Sequence, residues 1–462
     1  MEDLLALTER YNVRAPRYTS YPTAADFHDG VGLRELAAAI GRSNGDALPA
    51  PLGLYLHLPF CHSLCFYCAC NRVITRNTDR ATHYRELIPD EAAMLAPYLT
   101  DDREVSRIHL GGGTPTYFDP AALNELLDAL RKVFHFAPPQ RSDWSIEIDP
   151  RTVSAQDIEA LHRIGFTRLS FGVQDLDSTV QQAINRVLPA EALAERVSAA
   201  RGAGFDSLNF DLIYGLPHQN RERFARTLDH VVALGPDRIA LYGYAHLPER
   251  FRAQRLLESD ALPRGADRMA LLVQAIERLT AAGYEYIGMD HFARPTDALA
   301  RSRSEGTLVR NFQGYVPGPD TDLLGLGASA ISSIGDAYIQ NTRGTRAWEK
   351  AIAAGRHPAE RGYVLTLDDR IRRDVISAVM CRDTVTFTEF ENRYEIDFVE
   401  YFRPALNRLE PLERDGLVQR SDDQLDITPR GRLVLRAIAM VFDAHLEAST
   451  LHAVGTRYSR VV

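Results

Sequence analysis

Short apolar runs typical of β-strands alternate with amphipathic stretches typical of helices from about residue 50 to residue 340. The runs that predict strands are LGLYLHL (52–58), VSRIHL (105–110), WSIEID (144–149), RLSFGV (168–173), SLNFDLIY (207–214) and RIALYGY (238–244). After the third run, SAQDIEALHRIGF predicts a helix with Ser154 as N-cap and Gly165 as C-cap. After the fifth run, an apolar stripe at helical spacing ends at Gly235. The alternation predicts an α/β fold with a parallel sheet, either open or rolled into a barrel.

Polar residues gather where these predicted strands end. They are Gly111 to Thr114, Glu147, Gln174, Asp211 and His246. Within WSIEID, the apolar residues Trp144, Ile146 and Ile148 share one face and leave Glu147 on the other. Because the carboxyl ends of parallel strands build the active site of a barrel, we expect these residues to share one mouth.

The pattern changes on both sides of this region. Before residue 50 no clear periodicity is visible, and PRYTSYPT (16–23) predicts an extended arm. After about residue 355, helical patterns lead into GLVQRSDDQLDITPRGR, which predicts a winged-helix-like unit with a short two-strand wing. The predicted domains are therefore an N-terminal arm (1–50), the α/β domain (51–355) and a helical C-terminal domain (356–462). The mixed charge of RSDDQLD favours a packing or lid role for the last domain over DNA binding.

Composition and charge limit which classes of partner the protein can bind and in which compartment it is expected. A net charge of -9 and a pI near 5.9 speak against a general nucleic-acid binder. Apolar runs such as LVLRAIAMVF are interrupted, here by Arg436, and the N-terminus lacks a signal-peptide pattern. We therefore expect a cytoplasmic protein that binds neither nucleic acid nor membrane. In that compartment thiols stay reduced, so grouped cysteines predict a metal or redox site.

Four of the five cysteines fall in HLPFCHSLCFYCACNR (57–72), while Cys381 lies far away. Cys61, Cys65 and Cys68 form the pattern C-x3-C-x2-C, and Cys70 follows after one more residue. Zinc sites usually pair two such knuckles or add distant histidines, and no second knuckle is present here. Closely grouped thiolates favour an iron–sulfur cluster. Three ligands from one loop would leave the fourth iron open to a small molecule, and whether Cys70 also binds is left open by the spacing.

The cysteine loop resembles the cluster loop of radical S-adenosylmethionine (SAM) enzymes. With the fourth cysteine, the form C-x3-C-x2-C-x-C is similar to that of the oxygen-independent coproporphyrinogen III dehydrogenase (HemN) family. The resemblance covers nearly the whole chain and includes PRYTSYPT, GGGTPTYF, SIEIDPR, SFGVQD, DLIYGLP, YAHLP, MDHFARP, RNFQGY and GASAISSIGD. The loop specifies only the superfamily, whereas RNFQGY and the position of Cys70 narrow it to this family.

The resemblance implies a fold and a set of cofactors. The fold would be a partial (β/α)6 radical SAM barrel with an N-terminal arm and a mainly helical, winged-helix-like C-terminal domain. Cys61, Cys65 and Cys68 would hold one [4Fe–4S] cluster, and two SAM molecules would bind per chain. The residues implied for the first SAM are Tyr55, Tyr67, Gly112, Glu147 and Ile331. Those implied for the second are Gly113, Thr114, Gln174, Arg186, Asp211 and Ala245.

The resemblance also implies a reaction. Two propionates of coproporphyrinogen III would be oxidatively decarboxylated to vinyl groups by a 5′-deoxyadenosyl radical, which gives protoporphyrinogen IX for haem biosynthesis. Cys70, Phe312 and Gln313 are the implied catalytic residues. The electron donor would be a protein such as a flavodoxin or ferredoxin, and the chain is expected to be a monomer.

Three alternatives remain at this point. A haem-binding chaperone of the same superfamily would carry an aromatic residue in place of the fourth cysteine and lack RNFQGY, so Cys70, Phe312 and Gln313 count against it. A haem-degrading radical SAM methyltransferase should differ in the same element. A structural zinc protein is the third alternative.

A tetrapropionate substrate requires cationic partners. The stretch 292–315 carries Arg294, Arg301, Arg303 and Arg310. Because guanidinium groups bind carboxylates through two parallel hydrogen bonds, our hypothesis is that Arg310, or Arg17 of the arm, holds propionates.

Overall fold

The computed structural model describes residues 10–318, 320–446 and 458–460. At its centre lies a mixed 14-stranded sheet that contains every predicted strand. Those strands are β1 (Leu52–Leu58), β2 (Glu104–Gly112), β3 (Asp143–Ile148), β4 (Arg168–Gln174), β5 (Ser207–Tyr214) and β6 (Arg238–Gly243). Neighbours pair in parallel in this order, so the predicted parallel α/β sheet is confirmed.

The sheet continues beyond these strands on both sides. Next to β1 lies a further parallel strand, Asp322–Leu326, which is not among the predicted strands. The strands that extend this side are Ile331–Ile334, Ala337–Asn341, Ala359–Val364 and His28–Asp29, all antiparallel to their neighbours. The strands that extend the β6 side are His291–Ala293 and Glu285–Gly288, also antiparallel. The strand order therefore ends at two different edges, and the sheet forms an open, partial barrel.

Helices connect the parallel strands and cover the sheet. They are Thr78–Leu95, Pro120–Arg131, Ala155–Ile164, Ser178–Ala183, Ala190–Ala203, Arg221–Leu234 and Gly265–Ala281. Ser154 and Gly165 cap the third of these as predicted, because the Ser154 hydroxyl accepts from the Asp157 amide and Gly165 adopts φ +123°. Gly235 ends its helix in the left-handed conformation, also as predicted. The apolar faces of these helices and of the strands form the main core.

A buried ion pair joins the extra parallel strand to β2 and to the N-terminal segment. Arg103 donates to Asp322 at 2.7 Å, and their side chains are only 2% and 8% exposed. Asp322 also accepts from the Gly335 amide at 3.0 Å and from the Ser43 hydroxyl. Since these donors surround one carboxylate, its charge is satisfied only while Arg103 is present.

Replacing Arg103 by methionine should lower the free energy of unfolding by roughly 3–5 kcal/mol, because Asp322 would keep a buried charge without its cation. Urea denaturation followed by tryptophan fluorescence measures this directly, since Trp144 and Trp348 both lie in the core of the sheet. Arg141→Met is the matched control, because its pair with Glu104 is 63% and 38% exposed. That control should change stability by less than about 1 kcal/mol. Equal changes in the free energy of unfolding for the two substitutions would show that the buried pair contributes no more to stability than the exposed pair.

The N-terminal segment differs from the prediction in one respect. Residues 16–23 form no helix or strand, as expected for an extended arm. The segment before residue 50 nevertheless contains a helix, Leu33–Asn44, whose buried residues Leu36, Ala39, Ile40 and Ser43 follow helical spacing. The expectation of no periodic element there is wrong.

The C-terminal region is mainly helical, as predicted. Its helices are Leu367–Cys381, Phe387–Tyr394, Phe398–Tyr401, Arg403–Arg408, Glu410–Arg414 and Leu435–Ala439. The wing has three strands rather than two, because Thr384–Thr386 pairs with Gln424–Ile427, which pairs with Val418–Arg420. The last strand of the large sheet ends at Val364, and the domain boundary near residue 355 stays a prediction.

The N-terminal arm packs against this C-terminal region. Ala15, Tyr18 and Tyr21 belong to the same buried cluster as the C-terminal helices. Arg436 reaches back to the arm and donates to the Pro16 carbonyl at 2.9 Å and to the Ala15 carbonyl. The arm is thus held between the C-terminal helices and the sheet. No helix in the described part of the chain combines the length and apolar character needed to cross a bilayer.

Candidate active site

The cysteine loop leaves β1 at the carboxyl edge of the parallel strands. A short strand at Phe60–Cys61 pairs with Val73–Ile74 and closes the base of the loop. Further along, the Phe66 amide donates to the Ile184 carbonyl at 3.0 Å, and the Asn185 side chain donates to the Leu64 carbonyl at 2.7 Å. The loop is therefore held at its base by this strand pair and further along by residues 184 and 185.

One cavity of about 450 Å³ lies under this loop and collects most of the predicted site residues. The cysteines that line it are Cys61, Cys65, Cys68 and Cys70. The other predicted residues that line it are Tyr67, Gly112, Gly113, Thr114, Glu147, Gln174, Arg186, Asp211 and Ala245. His246, expected at the same mouth, lines an adjacent cavity instead.

The remaining predicted residues lie outside this cavity. Tyr55 is hydrogen-bonded to His57 at 3.1 Å and stacks on His109, with ring centroids 5.9 Å apart. Gln313 lines a small cavity of about 120 Å³ that also includes Glu147 and Asp211.

Phe312 and Ile331 both pack on the cluster around Tyr338, away from Gln313's cavity. Phe312 meets the Tyr338 ring edge-on, at a centroid distance of 5.8 Å. Gln313 therefore lies beside the site carboxylates, while Phe312 and Ile331 lie in an apolar wall.

The thiols of Cys61 and Cys65 have different environments. Cys61 is buried, which raises the pKa of its thiol to about 11, and the Thr114 hydroxyl donates to its sulfur at 3.3 Å. The Cys65 sulfur accepts from Arg151 and from Arg186, each at 3.5 Å. Two guanidinium groups therefore lie at hydrogen-bonding distance from this one sulfur.

Asp149 holds the two arginines in place. It pairs with Arg151 at 2.6 Å and with Arg186 at 3.0 Å. Burial raises the pKa of Asp149, but the two guanidinium groups more than offset this, and the pKa lies below its usual value. Asp149 and Arg151 lie within SIEIDPR but are not among the predicted site residues; the position of Asp149 directly after a strand is the signal that could have indicated it.

Cys68 and Cys70 lie next to each other at the cavity wall. A hydrogen bond from the Cys70 thiol, together with Arg72, lowers the pKa of Cys68 to about 6 although burial opposes this. The same hydrogen bond, to the Cys68 sulfur, raises the pKa of the Cys70 thiol, which is the exposed member of the group. In the cavity, Cys70 therefore lies closest to open space.

Two carboxylates face the same cavity from β3 and β5. Burial raises the pKa of Glu147, but donors at His109 (3.4 Å) and at the Gly112 amide (3.3 Å) lower it below its usual value. Burial, followed by the charge of Glu147, raises the pKa of Asp211 to about 6. The cavity thus has a cationic side near Cys65 and an anionic side at Glu147 and Asp211.

The glycines of GGGTPT serve close packing. A Cβ atom on Gly113 would lie 2.4 Å from the Pro59 carbonyl oxygen, and one on Gly112, at φ +116°, would lie 2.8 Å from the His57 ring. The Gly113 amide donates to the Leu58 carbonyl at 2.9 Å. Glycine is therefore required at these two positions for the turn to pack closely against β1 and the cysteine loop.

The thiols suit an iron–sulfur cluster. Over the described residues, no group of three His, Cys, Asp or Glu side chains converges closely enough to bind one metal ion. A [4Fe–4S] cluster does not require such convergence, since each thiolate binds a different iron atom. Cys61, Cys65 and Cys68 present sulfur donors to one cavity, which is the donor chemistry such a cluster needs.

Comparison with known proteins agrees with this chemistry. The Radical SAM superfamily model matches residues 55–231, and the HemN C-terminal domain model matches residues 365–434. The oxygen-independent coproporphyrinogen III oxidase of Pseudomonas aeruginosa is 43% identical over 456 residues, which cover 99% of this chain and 98% of that protein. The enzyme of the same name from Salmonella typhimurium is 44% identical over 458 residues, with the same coverage. The chain belongs to the oxygen-independent coproporphyrinogen III oxidase family.

The solved structure of coproporphyrinogen III oxidase (HemN) from Escherichia coli extends the agreement to the fold. It superposes with a TM-score of 0.89 at 42% identity and covers 94% of this chain and 100% of that one. Membership of this radical SAM family implies a [4Fe–4S] cluster and SAM as cofactors. The partial-barrel fold expected from the sequence is confirmed.

Proposed function

We propose that this chain catalyses the oxidative decarboxylation of two propionate side chains of coproporphyrinogen III to vinyl groups, which yields protoporphyrinogen IX. The observation that carries the proposal is the single cavity in which the cysteine loop, two carboxylates and a guanidinium pair meet. Relatives named for this activity, similar along nearly their whole length, support it. Each reacting propionate would lose one hydrogen atom, carbon dioxide and one electron.

The proposal assigns the cluster to Cys61, Cys65 and Cys68. When bound with SAM, a [4Fe–4S] cluster supplies the electron that cleaves SAM to methionine and a 5′-deoxyadenosyl radical. Arg151 and Arg186 each donate to the Cys65 sulfur at 3.5 Å and hold it in position. Thr114 donates to Cys61 at 3.3 Å and orients that sulfur.

Two SAM molecules are assigned to this mouth. The first would contact Tyr67, Gly112 and Glu147, which line the cavity, together with Tyr55 and Ile331, which lie outside its lining. The second would contact Gly113, Thr114, Gln174, Arg186, Asp211 and Ala245. The polarity of the cavity supports both, because guanidinium groups suit the SAM carboxylate while Glu147 and Asp211 suit its ammonium and ribose hydroxyls.

The substrate would lie on the open side of the cofactors. Cys70 is the exposed thiol of the cavity, and Gln313 lies beside Glu147 and Asp211. We assign both to the substrate side, with Phe312 as part of an apolar wall. An electron donor such as a flavodoxin or ferredoxin, a monomeric state and a cytoplasmic location complete the proposal.

SAM binding should depend on pH through Asp211. The raised pKa of Asp211, about 6, means that its carboxyl group is neutral below that pH and anionic above it. A cationic ligand is favoured by the anionic form, so SAM affinity should fall as pH drops through this value, by up to tenfold per pH unit. Anaerobic calorimetry of the reconstituted protein across this range measures the change.

The matched variant for this prediction is Asp211→Asn. It should bind SAM weakly at every pH and lose the dependence, because no proton is exchanged at that position. A wild-type affinity that is flat from about pH 5 to 7.5 would contradict the assignment of Asp211 to SAM.

The experiment that tests the cofactor chemistry is anaerobic reconstitution with iron and sulfide. About four irons per chain are expected, and addition of SAM with a strong reductant should release 5′-deoxyadenosine and methionine. Stoichiometric zinc without visible charge-transfer absorption would contradict the proposal and favour a structural zinc site.

A further inference from the structure

A second cavity, of about 520 Å³, lies next to the cofactor cavity. Both cavities are lined by Gly243, Tyr244 and Ala245 at the end of β6. The second cavity is walled by the N-terminal arm, by the start of the helix Gly265–Ala281 and by Ser459 and Arg460 near the C-terminus. We call it the basic cavity.

The charge of the basic cavity is strongly one-sided. The arginines that line it are Arg14, Arg17, Arg264, Arg268, Arg436 and Arg460. Asp290 is the one carboxylate among the described residues of this wall, and it pairs with Arg17. Outside the wall, Arg264 also pairs with Asp260 at 3.1 Å. The lining itself still gathers several guanidinium groups around one carboxylate, which is unfavourable unless an anion binds among them.

Some of these arginines have structural tasks. Arg436 is buried and donates to backbone carbonyls of the arm and of Ser459. Burial and the nearby charge of Arg17 lower the pKa of Arg436 to about 9, as expected where cations gather. Arg17 lies over the Tyr242 ring at 5.5 Å, and Tyr242 lines the cofactor cavity. The arm therefore brings a cation to the boundary between the two cavities.

Arg268 has no such structural contacts with backbone carbonyls of the arm or of the C-terminal segment. Its guanidinium lies over the Tyr214 ring at 5.6 Å, and its Nε atom is buried without a hydrogen-bond acceptor. Across residues 10–318, 320–446 and 458–460 it makes no ion pair with a carboxylate. A Cβ atom added to Gly243 would lie 2.9 Å from its Nη2, so the group lies against the backbone shared by both cavities. Arg268 thus has a buried Nε donor without an acceptor and a terminal nitrogen beside the backbone that both cavities share.

We propose that the basic cavity binds the two propionates of the substrate that do not react, with Arg268 as a positioning residue for one of them. This inference rests on the proposed function, which supplies a ligand with four carboxylates. Guanidinium groups bind carboxylates in a planar, bidentate manner. Anchoring two propionates here would direct the opposite edge of the macrocycle past Gly243 into the cofactor cavity, where a reacting propionate meets the site. Arg310, by contrast, donates to the Arg17 carbonyl and lies over Tyr315, outside the basic cavity.

The test is the affinity of the anaerobic holoenzyme for three oxidised porphyrins, measured by fluorescence titration. Coproporphyrin III has all four propionates, mesoporphyrin IX has ethyl groups at the two reacting positions, and aetioporphyrin has no carboxylates. Arg268→Met should lower the affinity for coproporphyrin III and for mesoporphyrin IX equally, by about tenfold or more. The affinity for aetioporphyrin should stay unchanged. Arg264→Met, at the exposed rim, should act in the same direction with a smaller effect. Arg278→Met is the control on the same helix, because Arg278 pairs with Asp229 outside the cavity.

The outcomes separate this inference from the proposed function. Equal affinities of wild type and both cavity variants for coproporphyrin III would overturn it, even if the enzyme converts its substrate. A loss of affinity for coproporphyrin III alone would also overturn this inference, because Arg268 would then hold a reacting propionate. A wild-type holoenzyme that cleaves SAM but neither binds nor converts the tetrapropionate would remove the proposed function and this inference together.

Discussion

Replacing Cys70 by alanine is expected to leave the iron–sulfur cluster in place and to abolish the formation of protoporphyrinogen IX. In the proposed chemistry SAM would bind an iron that no cysteine occupies, so a fourth thiolate ligand would suppress the reaction. With one residue between them, Cys68 and Cys70 would also have difficulty reaching two corners of a cubane without strain. Cys70 is the exposed thiol of the cavity, which suits contact with the substrate or with the second SAM that we propose.

The variant should contain about four irons per chain after anaerobic reconstitution. Its rate of product formation should fall to about one hundredth of the wild-type rate or less, the scale of loss when a group at the reacting atoms is removed. Iron content and product are measured on the same preparation. Failure to hold iron would show that Cys70 is a ligand, and normal turnover would show that it only packs.

Replacing Cys61, Cys65 or Cys68 singly by alanine is expected to remove the cluster and all SAM cleavage. Each sulfur lines the cavity from a loop whose backbone is held by hydrogen bonds from residues 184 and 185, so each thiol has its own place in the site. Iron should fall from about four per chain to a small fraction of that, with loss of the visible absorption. Cys381→Ala is the control, because Cys381 is buried in the C-terminal core.

The control should retain full iron content. A cluster that survives loss of any one of the three cysteines would contradict the ligand assignment. If all four loop variants lost the cluster, the site would be a four-thiolate cluster, and the open-iron chemistry would need another explanation.

The strands were the most predictable part of the fold. The bounds of β1 and β5 agree with the predicted runs, because apolar runs flanked by turn residues are unambiguous when strands and helices alternate. The strand Asp322–Leu326 is buried at every position and so lacks the alternation that marks a half-buried strand. The helix Leu33–Asn44 was missed because three consecutive alanines, Ala37 to Ala39, blur the contrast between its faces.

Site residues were predictable from the sequence only where they belong to a compact loop motif or stand at a strand end. The cysteines, Glu147 and Asp211 stand at strand ends or in a compact loop, and the fold brings them to one cavity. The pairing of Asp149 with Arg151 and Arg186 joins segments that only the folded chain brings together. The basic cavity draws its arginines from both ends of the chain and from one barrel helix, so no local pattern could indicate it.

The central claim is tested most directly by one anaerobic assay of the reconstituted wild-type protein with coproporphyrinogen III, SAM and a reductant. The proposed function predicts that protoporphyrinogen IX and carbon dioxide appear, with 5′-deoxyadenosine and methionine formed alongside, and that omission of SAM stops all of them. Cleavage of SAM with coproporphyrinogen III left unchanged would contradict the proposed function, and tight haem binding without turnover would favour the chaperone alternative.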